Sequence, residues 1–172
     1  MTIKIGNQVF IGPGVNISNK EVIEIRSQWN MKVGFTCGAF DLLHTGHALM
    51  LEEAKSVCDY LVVGVQSDPS IDRSTKNKPI QDYYERILMV KAIRHVDEVV
   101  LYNTEVDLVD LLRSLNPDIR VLGADWQGKK YTGWDLPIEP YFNSRSHSFS
   151  TSSLRRRVFL AEVGSENPYE MT

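Results

Sequence analysis

From Met31 onward the chain alternates between two hydrophobic rhythms. Tyr60-Leu61-Val62-Val63-Gly64-Val65 is an unbroken apolar run, the pattern of a strand covered on both faces. Met31 to Cys37, with Val33, Phe35 and Thr36, predicts a similar strand, and shorter ones are expected over Glu98–Leu101, over Ile119–Leu122 and within Leu136–Tyr141. Between these runs the apolar positions recur at helical spacing. Ala48 to Val57 is amphipathic, and Asp82 to Arg94 gathers Ile87, Leu88, Val90 and Ile93 on one side. Leu108, Leu111, Leu112 and Leu115 repeat at i, i+3, i+4 and i+7 behind a Thr104 cap, and Asn116-Pro117 ends that helix. A last helix is expected from a Ser150 or Thr151 cap through Ala161. The alternation predicts an α/β fold with a central, mostly parallel sheet whose ligands bind at the carboxyl ends of the strands.

The two ends of the chain read differently. Ile3-Lys4-Ile5 and Val9-Phe10-Ile11 flank Gly6-Asn7-Gln8 as a hairpin would, Gly12-Pro13-Gly14 interrupts, and Lys20 to Trp29 has helical spacing. Residues 1–30 are therefore expected to form an extension, 31–162 the main domain, and 163–172 a loose tail. A chain of 172 residues with 42% hydrophobic and 24% charged residues is ample for one well-buried domain and short for two. The net charge of −3 argues against a nucleic-acid partner. The two cysteines, Cys37 and Cys58, imply neither a disulfide framework nor a metal site. No stretch has the length of a membrane span or the pattern of a signal peptide, so a cytoplasmic protein with no membrane partner is expected.

The densest chemistry is Gly38-Ala39-Phe40-Asp41-Leu42-Leu43-His44-Thr45-Gly46-His47, set between the first strand of this domain and its first helix. A helix amino end offers unpaired N–H groups and a positive dipole end, and so attracts phosphate. Imidazoles placed there can donate to phosphate oxygens as charge builds on them, and Gly46 lets the backbone come close to a ligand. The loop contains no Gly-Lys-Ser or Gly-Lys-Thr, so it is not the other common phosphate loop. Two histidines three residues apart can also be metal ligands or ordinary surface residues; their setting between strand and helix favours phosphate.

Other segments gain meaning from their place at the same sheet edge. Lys76-Asn77-Lys78-Pro79 reads as a solvated loop, yet it follows the second strand, where a lysine can close over a triphosphate. Arg86 and Arg94 are candidates for phosphate or partner contacts. Gly123-Ala124-Asp125-Trp126 ends a strand, and its backbone and Asp125 can recognise a base. Ser150-Thr151-Ser152 opens a helix with more hydroxyls than a cap needs, and Arg145 upstream suits phosphate geometrically. Arg155-Arg156-Arg157 reads as a solvated helix face.

Together these segments resemble the His-x-Gly-His nucleotidyltransferases, and most closely the glycerol-3-phosphate cytidylyltransferases, over about residues 31–158. Gly38 to His47 resembles that family's G-T-F-D-L-L-H-x-G-H, and Arg94-His95-Val96-Asp97-Glu98-Val99 its R-Y-V-D-E-V. Gly123 to Lys129 resembles G-D-D-W-E-G-K, and Arg145 with Ser150-Thr151-Ser152 resembles R-T-E-G-I-S-T-T. The resemblance implies a Rossmann-like three-layer fold and transfer of CMP from CTP, with Mg²⁺ held mainly by the phosphates, to a small phosphorylated alcohol. His44, His47, Lys78 and Arg145 are then catalytic. Gly38, Ala39, Phe40, Asp41, Gly46, Lys76, Arg94, Gly123, Asp125, Trp126, Ser150, Thr151 and Ser152 bind nucleotide, Arg86 the acceptor, and a homodimer is implied.

Ala39 stands where the family has threonine, and His147-Ser148-Phe149 where it has Glu-Gly-Ile. These departures bear on the acceptor more than on the reaction. The same cradle serves ATP, so an adenylyltransferase forming FAD or an ADP-sugar is the competing enzyme, and a non-catalytic nucleotide-binding module the competing non-enzyme.

Overall fold

The structure, a computed structural model, describes residues 2–5, 8–11 and 31–165. Strands β1 (Thr2–Ile5) and β2 (Gln8–Ile11) pair antiparallel with Ile5 opposite Gln8, so Gln8, expected in the loop, begins the second strand. The helix expected over Lys20–Trp29 lies outside the described residues.

Five strands form the central sheet: β3 (Val33–Gly38), β4 (Tyr60–Gln66), β5 (Glu98–Tyr102), β6 (Ile119–Leu122) and β7 (Glu139–Phe142). Their order across the sheet is β5-β4-β3-β6-β7, and every pairing is parallel. The helices are α1 (Thr45–Ser56), α2 (Tyr83–Lys91), α3 (Glu105–Leu115) and α4 (Thr151–Ser165). On one face Leu51 and Ala54 of α1 and Ile87 and Val90 of α2 meet Leu61, Val63, Val65, Val99 and Val121. On the other, Leu108, Leu111, Leu112 and Leu115 of α3 meet Val33, Phe35, Val62, Val100 and Tyr102. Adjacent strand residues thus feed opposite clusters, as the two-residue period requires, and the three expected layers are present.

Local chemistry sets the boundaries. Asp82 and Glu85 form a capping box at the head of α2, and Thr104 and Asp107 form one at the head of α3. Asn116 ends α3 in the left-handed region, φ 44°, with its N–H on the Leu112 carbonyl. The helix expected through Arg94 stops at Lys91 because Ile93 and Val96 bond three residues back rather than four, winding the chain into turns. Conversely, α4 runs four residues past its expected end at Ala161. At the amino edge of the sheet, Asp59, Asp97 and Asp118 accept the N–H groups of Lys32, Leu61 and Val33 at 2.7–2.8 Å. Those bonds order the edge away from the site. Among the described residues no helix is long and apolar enough to cross a membrane.

Candidate active site

The chain builds outward from β3 through β4 to β5, then returns to the other side of β3 with β6. That reversal leaves a crevice between the carboxyl ends of β3 and β6. A cavity of about 460 Å³ opens there, bounded by Thr36, Cys37 and Gly38 on one strand and by Val121 and Leu122 on the other, with Gly123 just beyond it.

His44 is itself the N-cap of α1. Its Nδ1 accepts the Gly46 N–H at 3.0 Å, and His47 Nδ1 accepts the His44 N–H at 3.4 Å, so the imidazoles cap the helix reciprocally. The rings stack with centroids 4.0 Å apart. With both Nδ1 atoms accepting, the neutral rings carry their protons on Nε2, and His44 Nε2 lies 3.2 Å from Thr151 Oγ1. Burial, helped by the neighbouring His44, pushes the His47 pKa down to about 4. Burial, with His147 and Arg157 nearby, lowers His44 as well. Two neutral N–H donors therefore stand at the positive end of a helix. Gly46 serves packing as well as approach: a Cβ there would sit 2.8 Å from His147 Cε1 and 3.0 Å from His44 Cε1.

The loop before His44 is held in an unusual conformation. Phe40 and Leu42 are both left-handed, φ 51° and 47°. Arg86 Nη1 donates to Ala39 O at 2.6 Å, and the Leu42 N–H donates to Gln81 Oε1 at 2.8 Å. Asp41, 5% exposed, accepts the Ile80 and Gln81 N–H groups at 3.0 Å and faces Arg155 at 3.3 Å. On the far side, Glu53 of α1 accepts from the Ser144 N–H at 2.8 Å and from Tyr141 O–H at 3.1 Å, which fixes the segment leading to Arg145. Ser150 caps α4: its Oγ accepts the Ser153 N–H at 3.2 Å.

The cavity brings together Gly38, His44, Gly46, His47, Gly123, Trp126, Arg145, Ser150 and Thr151. An adjoining hollow of about 350 Å³ is lined by Gly38, Ala39, Phe40, Asp41, His47, Lys76, Thr151 and Ser152, among others. Asp125 instead pairs with Arg145 at 3.8 Å and folds back over Gly123, where a Cβ would meet its Oδ1 at 2.5 Å. Lys78 is exposed and lines neither space; its carbonyl meets Arg155.

Three of the expected site residues are engaged by the protein itself. Arg86 is 1% exposed and its guanidinium is surrounded by the carbonyls of Ala39, Gln66, Ser67, Gln81 and Asp82, so it braces the loop and is not available to an acceptor. Arg94 lies beyond α2, in the turns before β5, beside Glu52 at 3.6 Å, and lines neither space. The Asp41 carboxylate is engaged by protein donors, so it positions the loop. Sequence reading passed over Arg155, dismissed as a solvated face although it lies one turn after Thr151, and His147, noticed only as a departure. It also passed over Arg73, Glu105 and Arg120, which line the cavity.

Residues 35–138 match the family model described as cytidylyltransferase-like. The chain belongs to the cytidylyltransferase-like family. It is 34% identical over 142 residues to the bifunctional protein HldE of Campylobacter jejuni, covering 82% of this chain and 31% of that one. To the bifunctional protein HldE of Helicobacter pylori it is 36% identical over 140 residues, covering 81% and 30%. It thus spans about a third of the length of these curated relatives. A lipopolysaccharide core biosynthesis protein of Thermoplasma volcanium superposes with a TM-score of 0.58 at 28% identity, covering 68% of this chain and 99% of that one.

Proposed function

We propose that the chain transfers a nucleotidyl group from a nucleoside triphosphate to the phosphate of a small acceptor. An acceptor phosphate oxygen attacks the α-phosphorus, the bridge to the β-phosphate breaks, and pyrophosphate leaves with the electron pair. The observation that carries this reading is the pair of stacked imidazoles that cap α1 through their Nδ1 atoms at a switch-point cavity. Donors fixed before the reaction stabilise charge as it develops and need no reorganisation. Thr151, Ser150 and Ser152 at the head of α4, with Arg145, supply donors for the triphosphate oxygens. Lys76 and Lys78 stand on the loop that flanks the adjoining hollow and reach the phosphates by its closure. Trp126 and the Gly123 backbone face the base.

Among the described residues no three His, Cys, Asp or Glu side chains group to hold a metal. Mg²⁺ is proposed to ride on the triphosphate, as its preference for phosphate oxygens and retained water allows. The homodimer is also part of the proposal; α4 exposes Val158, Phe159, Leu160 and Val163, an apolar surface suited to a second copy.

The first reading of the substrates is CMP transfer from CTP to a glycerol 3-phosphate-like alcohol, yielding a CDP-alcohol. The second is AMP transfer from ATP to a sugar phosphate; a sugar acceptor, though not the choice of triphosphate, suits the Thermoplasma neighbour's description as a lipopolysaccharide core biosynthesis protein. Pyrophosphate release measured with CTP or ATP against phosphorylated alcohols and sugars separates them. Turnover with ATP alone rejects the cytidylyl reading. Changing either His44 or His47 to Ala is expected to lower kcat on the order of 10²–10³-fold; unchanged turnover would reject the mechanism.

A further inference from the structure

The cavity continues onto the α3 side of the sheet, and that arm holds charges that nucleotidyl transfer leaves unused. Arg73, Glu105, Arg120, Lys130, Tyr131 and Thr132 line it. Arg120 alternates along β6 with Ile119 and Val121, which pack on the α1 and α2 side, so its own side chain lies on the α3 side. It is 3% exposed. Its Nη1 donates to the Thr132 carbonyl, its guanidinium lies 5.2 Å from the Tyr131 ring centroid, and its Nε has no partner among the described residues.

No carboxylate pairs with Arg120 among the described residues. Glu105, the acid of the arm, is held by Arg73 at 3.2 Å and by the Thr132 hydroxyl. Arg73 likewise has a buried Nε without a partner among the described residues. Lys130, 4.6 Å from the Trp134 ring centroid, brings the arm to three cations against one acid. A buried cation without a counter-ion is strongly unfavourable. The Thr132 bond and the Tyr131 ring account for bracing the 129–134 segment, and Cys37 adjoins the guanidinium, but none of these supplies a negative counter-charge or a partner for Nε among the described residues.

We propose that this arm is the acceptor subsite, and that Arg120, with Arg73 beside it, seats a second anionic group at the acceptor's far end. The group is a carboxylate or a phosphate. Arg120 is level with Phe35, two residues before Cys37 on β3 and roughly 7 Å down the strands. The anion it meets is therefore the end of the acceptor turned away from His44 and His47, with the reacting phosphate toward the imidazoles.

The inference rests on the transfer reading, and matched acceptors test it. Glycerol 3-phosphate is set against 3-phosphoglycerate, and glucose 1-phosphate against both glucuronic acid 1-phosphate and glucose 1,6-bisphosphate, with CTP and with ATP. The doubly anionic member of each pair is expected to show kcat/KM higher by about 10- to 100-fold, the scale of a hydrogen bond to a charged group. The carboxylate and bisphosphate arms distinguish which anion is held. Arg120→Met should shrink that preference to within about twofold of unity, while its melting temperature without ligand equals or exceeds that of the unaltered protein. Preference for the member that carries only the reacting phosphate, or a preference that survives in Arg120→Met, overturns the inference, and the series on the unaltered protein decides it even where the variant fails to fold. Thermal shift by 3-phosphoglycerate or glucose 1,6-bisphosphate needs no turnover. If no triphosphate is consumed with any acceptor, the transfer reading falls, while the presence or absence of that shift still judges the anion site.

Discussion

His47 titrates near pH 4 in the folded protein, whereas an unfolded histidine titrates at about 6.5. Between those values the unfolded chain takes up a proton that the folded one refuses. The ring's contribution is therefore fully present above pH 6.5 and is lost as pH falls toward 4. From pH 7 to pH 5 the loss is about 2 kcal/mol at most, since solvent reaches part of the ring. Urea unfolding of the protein and of His47→Asn at both pH values isolates it, because the carboxylates that titrate in the same range are common to both. The difference between the two proteins should shift by 1–2 kcal/mol, roughly, in that direction; a constant difference would mean the ring is not held neutral. Gly46 belongs to the same scale. Ala favours a helix over Gly by about 1 kcal/mol, yet its Cβ would press on the His147 and His44 rings at 2.8 and 3.0 Å. Gly46→Ala is accordingly expected to change stability by less than about 2 kcal/mol while lowering turnover at least tenfold, roughly, because displaced donors act on the transition state.

Among the elements, the connection from β3 to α1 depends most on residues distant in sequence. Its two left-handed non-glycine residues, Phe40 and Leu42, are each disfavoured by about 1–2 kcal/mol and persist because Arg86, Gln81 and Asp41 clamp the loop. Arg86→Met removes a charge ringed by carbonyls and leaves those acceptors buried. The expected loss is about 3–5 kcal/mol, read as a lower urea midpoint with unchanged slope, and Arg86→Lys should recover only part of it because one ammonium cannot span the same acceptors. This loop also marks where sequence stops informing. Strands and helices were legible because a sheet covered on both faces forces continuous apolar runs, and α3 because its leucines repeat on one side. The two histidines drew notice because they bracket Gly46 between a strand signal and a helix signal, a setting read from neighbouring residues alone. Arg86 and Arg94 were not legible: an arginine on a helix looks alike whether it meets solvent, a ligand or five carbonyls, and three of those five carbonyls belong to residues 19 to 47 positions away. Arg120 was hidden for a related reason, a single charge inside a four-residue apolar strand.

At the scale of the whole molecule, the strand order β5-β4-β3-β6-β7 brings the first and last helices of the described domain to one mouth. Local pattern specified the strands but not this order, which follows from which edges remain free and from the handedness of each crossover. The consequence is a mechanical link between α1 and α4. The head of α4 meets the core through Thr151, against His44 and the Asp41 carbonyl, and through Arg155, against Asp41 and the Lys78 carbonyl. Farther along, Val158, Phe159, Leu160 and Val163 are more than half exposed, so within one chain little burial holds that part of the helix down, and only the second copy of the proposed homodimer would cover it. A triphosphate spanning the imidazoles of α1 and the hydroxyls of α4 would bridge the two helices and draw α4 onto the core. Hydrogen exchange over residues 150–157 is therefore expected to slow at least tenfold, about 1.4 kcal/mol of added local stability, on adding a non-hydrolysable triphosphate with Mg²⁺. Tryptic cleavage at Arg155 to Arg157 should slow in parallel. Asp41→Asn weakens the Arg155 tether in the free protein, so its exchange without ligand should be faster while the ligand-induced slowing persists. If nucleotide binds but leaves exchange in α4 unchanged, the hydroxyls at its head do not hold the phosphates, and the triphosphate must run instead along the Lys76 loop.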